Sequence, residues 1–158
     1  MKLLAAVTLL IAFLMIDVTH VRSMGNQDDT TSNPTKKDFA DGKSAVYSGQ
    51  FETAIRLLKK VVAQEPKNAD AHNYIGFSYR KIGKLDLAAS SYNKVFSINP
   101  DHKGALEYQG ELFLKLGNLS GANENLAKLK KLCPSTCKEL AELKRAIADF
   151  TATHGDRK

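Results

Sequence analysis

The feature that most constrains this chain is a spacing of 34 residues that recurs three times between residues 35 and 137. One set of prolines, two sets of glycines and one set of alanines all follow this interval. The sets are Pro66, Pro100 and Pro134; Gly42, Gly76 and Gly110; Gly49, Gly83 and Gly117; and Ala54, Ala88 and Ala122. Chance rarely aligns so many small or helix-breaking residues, so the chain is predicted to repeat one structural unit.

Each unit has the pattern of two helices joined by a tight turn. In the first unit, apolar side chains recur at helical spacing from Phe51 to Val62, and Gly49 suits a helix end with left-handed backbone. Pro66 ends the second helix, because the residue before a proline avoids the α region. Mid-helix glycines such as Gly42 cost about 1 kcal/mol relative to alanine, which predicts close contact between helices at these positions. The predicted repeat helices are residues 36–47, 51–64, 69–82, 85–98, 103–116 and 119–132.

With this period and these small residues, the chain resembles the tetratricopeptide repeat (TPR) family over about two thirds of its length. The resemblance implies an all-α fold, an α-solenoid of three TPR helix-turn-helix units within residues 36–134. The units are residues 35–68, 69–102 and 103–136.

A seventh helix is predicted over residues 136–154. Leu140, Leu143 and Ile147 recur on one helical face, and Thr136 with Glu139 has the pattern of a capping box. Since a stack of repeats leaves its last apolar face uncovered, we expect a C-terminal capping helix here. A partner-binding helix is the alternative.

The N-terminus resembles a secretory signal peptide, residues 1–23. Lys2 precedes an apolar run that is shorter than the ~20 residues needed to span a bilayer, and cleavage is expected after Ser23. Residues 24–35 contain few apolar side chains, which predicts a flexible linker. We therefore expect an exported protein, periplasmic or else secreted, with no membrane span after cleavage. An uncleaved N-terminal anchor is the alternative.

Two cysteines, Cys133 and Cys137, flank the joint between the third unit and the last helix. In an exported protein a close and even pair of cysteines predicts a disulfide. A redox pair is less well supported, because three residues rather than two separate the cysteines and no βαβ pattern surrounds them. A metal site would need further ligands at paired spacing, and the histidines have none, so we expect no metal.

Patterns for catalysis and for nucleic-acid binding are missing from the sequence. It contains no nucleophile elbow, phosphate-binding loop, metalloprotease helix or dinucleotide fingerprint, so we expect no enzyme activity and no cofactor. The formal net charge is +6, but lysines are spread over several helices without an aromatic-interleaved stripe. We therefore expect no nucleic-acid partner.

The resemblance also implies where a partner binds, because the first helix of each TPR unit lines a concave inner face. Nine residues carried over from that pattern are predicted to bind a protein or peptide partner: Phe39, Lys43, Tyr47, Asn73, Phe77, Arg80, Glu107, Glu111 and Leu114. This set would give a basic end at Lys43 and Arg80 and an acidic patch at Glu107 and Glu111. The function implied is a non-catalytic adaptor; the alternative is a self-assembling scaffold of an envelope complex.

One TPR subclass grips the C-terminal carboxylate of cytosolic chaperones with lysine, asparagine and arginine side chains. The corresponding positions in this chain hold Phe39, Lys43, Tyr74, Gly104 and Tyr108. Only the charge of Lys43 partly agrees with that pattern, so the carboxylate-clamp activity is not expected.

Overall fold

The computed structural model describes residues 33–135 and 137–154, and this part of the chain forms seven helices and no strand. The predicted signal peptide, residues 24–32 of the predicted linker, and Thr136 lie outside the described residues. The all-α prediction is confirmed. The helices are α1 (Pro34–Tyr47), α2 (Phe51–Gln64), α3 (Ala69–Lys81), α4 (Leu85–Ile98), α5 (Lys103–Lys115), α6 (Leu119–Leu132) and α7 (Lys138–His154).

The first six helices form three antiparallel pairs, α1 with α2, α3 with α4 and α5 with α6. Each pair is joined by a turn whose glycine has a positive φ: +72° at Gly49, +77° at Gly83 and +73° at Gly117. Only glycine enters this region without a steric penalty, which is why the same residue recurs after each first helix. The predicted helix-turn-helix plan is confirmed.

The mid-helix glycines mark places where helices touch. A Cβ on Gly42 would lie 2.8 Å from Cγ of Leu58, and one on Gly76 would lie 2.7 Å from Cε1 of Tyr92. Close packing is therefore confirmed, because a real Cβ could not occupy either place without a shift. A Cβ on Gly110 would lie 2.5 Å from Cδ1 of Leu143, so the close neighbour at this position comes from α7 and not from α6.

Helix α1 begins two residues earlier than predicted, so the predicted linker of residues 24–35 runs too far. The side chain of Asn33 accepts a hydrogen bond from the backbone N–H of Thr35 at 3.0 Å. Pro34 then occupies the first helical position, where its fixed φ is favourable and its missing N–H is not needed. At the other end, α7 begins at Lys138, two residues later than predicted.

The apolar core has two parts. The larger part joins the first two units to α5, with Leu58, Val61, Tyr92 and Val95 wholly buried. The smaller part holds α5, α6 and α7 together. Its buried side chains are Leu106, Leu126, Leu129, Cys133 and Leu143.

The last helix is tied to the repeats through the cysteines. A disulfide joins Cys133 to Cys137, with the α-carbons 5.4 Å apart. Helix α7 then packs against both α5 and α6. Within the described residues, none of the helices combines the length and the apolar character needed to cross a membrane.

Candidate functional site

The inner face, formed by α1, α3 and α5, carries three neighbouring tyrosines, which we call the tyrosine row: Tyr47, Tyr74 and Tyr108. The hydroxyls of Tyr47 and Tyr74 lie 3.3 Å apart, and their rings meet edge to face. Tyr47 is 70% exposed, whereas the other two are half-buried. Burial is the main cause that raises the pKa of Tyr74, and burial together with Glu107 raises the pKa of Tyr108 to about 12. Tyr74 and Tyr108 therefore keep their hydroxyl protons at neutral pH and can donate hydrogen bonds.

Two phenylalanines extend the tyrosine row. The ring centroids of Phe39 and Tyr74 are 6.2 Å apart, and those of Phe77 and Tyr108 are 4.7 Å apart. Both phenylalanines are half-buried. Aromatic pairs at these separations attract one another and hold their rings in place. The inner face of the first two units is therefore an ordered aromatic surface that remains in contact with solvent.

Two exposed lysines stand beside these rings. The Nζ atom of Lys43 lies 6.0 Å from the ring centroid of Tyr74, and that of Lys81 lies 5.4 Å from the ring centroid of Phe77. Among residues 33–135 and 137–154, neither lysine forms an ion pair, whereas Asp38 pairs with Lys60 and Asp41 pairs with Lys37. Asp70 accepts a hydrogen bond from Nε2 of His102, whose Nδ1 accepts one from the backbone N–H of Ala105.

Arg80 differs from these lysines because it is buried, with 4% of its surface exposed. It forms an ion pair with Glu111, and its guanidinium carbon lies 5.2 Å from the ring centroid of Phe77 and 5.7 Å from that of Tyr108. Its Nε donates to no described residue. Of the basic end expected at Lys43 and Arg80, Lys43 is therefore exposed, whereas the charge of Arg80 is buried and balanced by Glu111; a partner-binding role for Arg80 stays a prediction.

Glu107 is also buried, with 7% of its surface exposed. Burial, and next the negative charges of Glu111, Glu139 and Glu142, raise its pKa to about 7. At neutral pH this carboxyl is therefore only partly ionised. Since Glu111 is paired with Arg80, the expected acidic patch of Glu107 and Glu111 does not form an open anionic surface.

The nine residues predicted for partner binding thus divide into two groups. Five have exposed or half-exposed side chains: Phe39, Lys43, Tyr47, Phe77 and Glu111. Four are buried against neighbouring helices: Asn73, Arg80, Glu107 and Leu114. Sequence reasoning did not choose Tyr74 and Tyr108 as binding residues, although their spacing of 34 residues in successive units was a usable signal.

At the third unit, α7 forms a wall of the inner face. A cavity of about 490 Å³ separates α3 and α5 from the second half of α7. It is lined by Arg80, Glu111, Leu114, Lys115, Ala146, Asp149, Phe150 and His154. The sequence predicted α7 as an end cap, but its periodicity did not show that Phe150 would face this cavity.

The described residues contain no group of three or more histidine, cysteine, aspartate or glutamate side chains that could hold a metal ion. The inner face offers aromatic contact, hydroxyl donors and two ammonium groups.

The family model described as Tetratricopeptide repeat matches residues 39–101 and 78–135. These matches cover more than half of the chain, and the chain belongs to the tetratricopeptide repeat family.

Among curated proteins, the chain is similar to Tetratricopeptide repeat protein 13 of Homo sapiens, with 28% identity over 111 residues. That match covers 67% of this chain but 13% of the relative. The chain spans about a fifth or less of the length of the curated relatives that it matches.

Two solved structures share the fold. The first TPR of Spaghetti (RPAP3) bound to the HSP90 peptide SRMEEVD has a TM-score of 0.65 and 21% identity, covering 77% of this chain and 95% of that one. PcrH in complex with the chaperone binding region of PopD has a TM-score of 0.66 and 18% identity, covering 80% of this chain and 95% of that one. At this identity the likeness shows the fold alone, and it confirms an α-solenoid of helical repeats.

Proposed function

We propose that this chain is an exported, non-catalytic adaptor that binds a peptide segment of a partner protein on its inner face. The observation that carries the proposal is the tyrosine row. Three tyrosines from three successive units share this face, and each keeps part of its surface in contact with solvent. The hydroxyls of Tyr47 and Tyr74 lie 3.3 Å apart, and Tyr108 packs on Phe77, which shares α3 with Tyr74. Tyrosine is enriched where proteins bind partners, because its ring supplies contact area and its hydroxyl a hydrogen bond.

The position of α7 indicates where the segment lies. Because α7 forms a wall at the third unit, the open part of the inner face is formed by α1 and α3, with Tyr108 of α5 at its edge. An extended segment placed here would stack apolar side chains on Phe39 and Phe77. Its backbone carbonyls would accept hydrogen bonds from the hydroxyls of Tyr74 and Tyr108.

The similar structures support binding of a peptide segment by this fold. Spaghetti (RPAP3) holds an HSP90 peptide and PcrH holds a region of PopD, so the fold has room for a peptide-like segment. The N-terminal sequence and the disulfide support export to the periplasm, because disulfides persist in oxidising compartments.

Affinity capture from an envelope extract of the source organism tests this function. Wild type is compared with Tyr47→Ala plus Tyr74→Ala on the inner face. The matched control is Leu87→Ala, which removes an exposed apolar side chain (45% exposed) from α4. We expect wild type and control to retain the same partner and the double variant to lose it. Circular dichroism checks that all three proteins fold.

Two results would contradict the proposal. One is equal capture by the double variant and the control. The other is capture of no partner by wild type, together with a wild-type oligomer that the double variant converts to monomer in analytical ultracentrifugation. The second result would favour the self-assembling scaffold, because the tyrosine row would then bind another copy of this chain.

A further inference from the structure

The inner face of the first two units carries unbalanced positive charge. Lys43 and Lys81 are exposed and lie over aromatic rings, and neither has an acidic partner among the described residues. A ring contact leaves most of the hydrogen-bonding capacity of an ammonium group unused, because each ammonium has three donors. These two side chains can therefore still receive carboxylates.

The acidic side chains that could have neutralised this surface are bound elsewhere. Asp41 of α1 forms an ion pair with Lys37, and Asp70 of α3 accepts a hydrogen bond from Nε2 of His102. Asp38 lies within 4.0 Å of Lys60 on α2. The surface therefore offers the same combination twice: an aromatic ring of α3 with an unpaired lysine beside it, Lys43 from the first unit and Lys81 from the second.

We propose that the partner segment is acidic, with aspartate or glutamate placed next to apolar side chains. This inference rests on the proposed function. The apolar side chains of the segment rest on the rings of Tyr74 and Phe77, and the neighbouring carboxylates pair with Lys43 and Lys81. Complementary charge of this kind selects the partner and its register more than it adds affinity.

The carboxylates that Lys43 and Lys81 bind belong to side chains within the segment and not to its C-terminus. Capture of a chain end needs several donors that converge on one carboxylate. On this inner face Asn73 is buried and Arg80 is already paired with Glu111, so neither is free to complete such a site with Lys43. Single lysines on separate helices instead suit carboxylates spaced along a chain.

A phage-displayed library of random 12-residue peptides tests this class directly. Each peptide is fused at its C-terminus, so that no peptide carboxylate is free. The baits are wild type, Lys43→Glu plus Lys81→Glu, and the control Lys94→Glu plus Lys128→Glu. Both control sites are exposed lysines on second helices, α4 and α6, and the control changes the net charge by the same amount.

We expect wild type and control to enrich aspartate and glutamate at least threefold over lysine and arginine. The inner-face variant should lose this enrichment. In fluorescence anisotropy, a selected peptide should bind this variant at least tenfold more weakly than the control. The affinity of the selected peptide for wild type should fall as the salt concentration is raised. Amidation of the free C-terminus of the peptide should change this affinity less than twofold.

Several results would overturn the inference. They are selection without acidic enrichment, equal enrichment by the inner-face variant, and selection of no binding clone. A large loss on amidation would indicate capture of a chain end. Each of these leaves the proposed function standing if envelope capture still depends on Tyr47 and Tyr74, so the two failures can be told apart.

Discussion

Replacing Glu107 by glutamine should remove a pH dependence of stability that is built into the contact between α5 and α7. Glu107 lies on α5 with Glu111. The negative charges of Glu139 and Glu142 on α7 also raise the pKa of Glu107, whereas the positive charge of Lys138 lowers it. Burial and these negative charges favour the protonated carboxyl. The folded protein therefore holds this proton at pH values where an unfolded chain releases it.

The sign and size follow from the raised pKa. The ordinary pKa of this group is 4.5 and the folded value is about 7. Between these values the folded state binds more protons than the unfolded state, so the free energy of unfolding falls as pH rises. At about 1.4 kcal/mol per pH unit the limit is about 3 kcal/mol, and we expect about 2 kcal/mol because water still reaches the carboxyl. Above pH 7 this contribution stays constant.

Urea unfolding followed by circular dichroism at pH 4.5, 6.0 and 7.5 measures the effect. Between pH 4.5 and pH 7.5 the free energy of unfolding of wild type should fall by about 2 kcal/mol more than that of Glu107→Gln. The control is Glu124→Gln, which removes an exposed carboxyl from α6 and should follow wild type. Parallel profiles for wild type and Glu107→Gln would refute the assignment of this pH dependence to Glu107.

Three further substitutions test the packing. Gly76→Ala places a Cβ 2.7 Å from the Tyr92 ring and should lower the free energy of unfolding by about 1–3 kcal/mol in urea titration; an unchanged midpoint would disprove the close contact. Leu143→Ala should lower the free energy of unfolding by about 2–5 kcal/mol and increase hydrogen exchange throughout α7. Increased exchange only next to residue 143 would show that other contacts hold α7. Cys137→Ser should cost about 2 kcal/mol by the chain-entropy argument for a short loop, and equal stability of oxidised wild type and variant would show that the disulfide adds nothing.

Local physics made most of the repeat architecture readable from the sequence. Gly49 must follow a helix because its backbone is left-handed, and Pro66 must end one because of its steric demand on the residue before it. Neither effect depends on a distant partner, so the six repeat helices could be placed nearly to the residue. The N-terminus of α1 was missed by two residues, since Pro34 was assigned to a linker although it suits the first helical position.

The exposure of the binding residues could not be read in the same way. Position in the unit predicted that Arg80 faces the inner side, but its burial depends on Glu111 and Tyr108, which come from the next unit along the chain. The same dependence left Tyr74 and Tyr108 unrecognised. Their role as a surface exists only because successive first helices lie side by side and bring their rings together.

The sequence by itself therefore determined the repeat, its helices and turns, and the close contacts at the mid-helix glycines, because each rests on backbone sterics or on helical period. Only the tertiary structure decided which charges remain free and where α7 docks. The apolar period of α7 placed Leu143 on the buried face of that helix. It did not show that Leu143 would pack against Gly110 of α5. That choice, and with it the raised pKa of Glu107, depends on contacts between helices that are distant in the chain, and so does the contact of Lys43 with the ring of Tyr74.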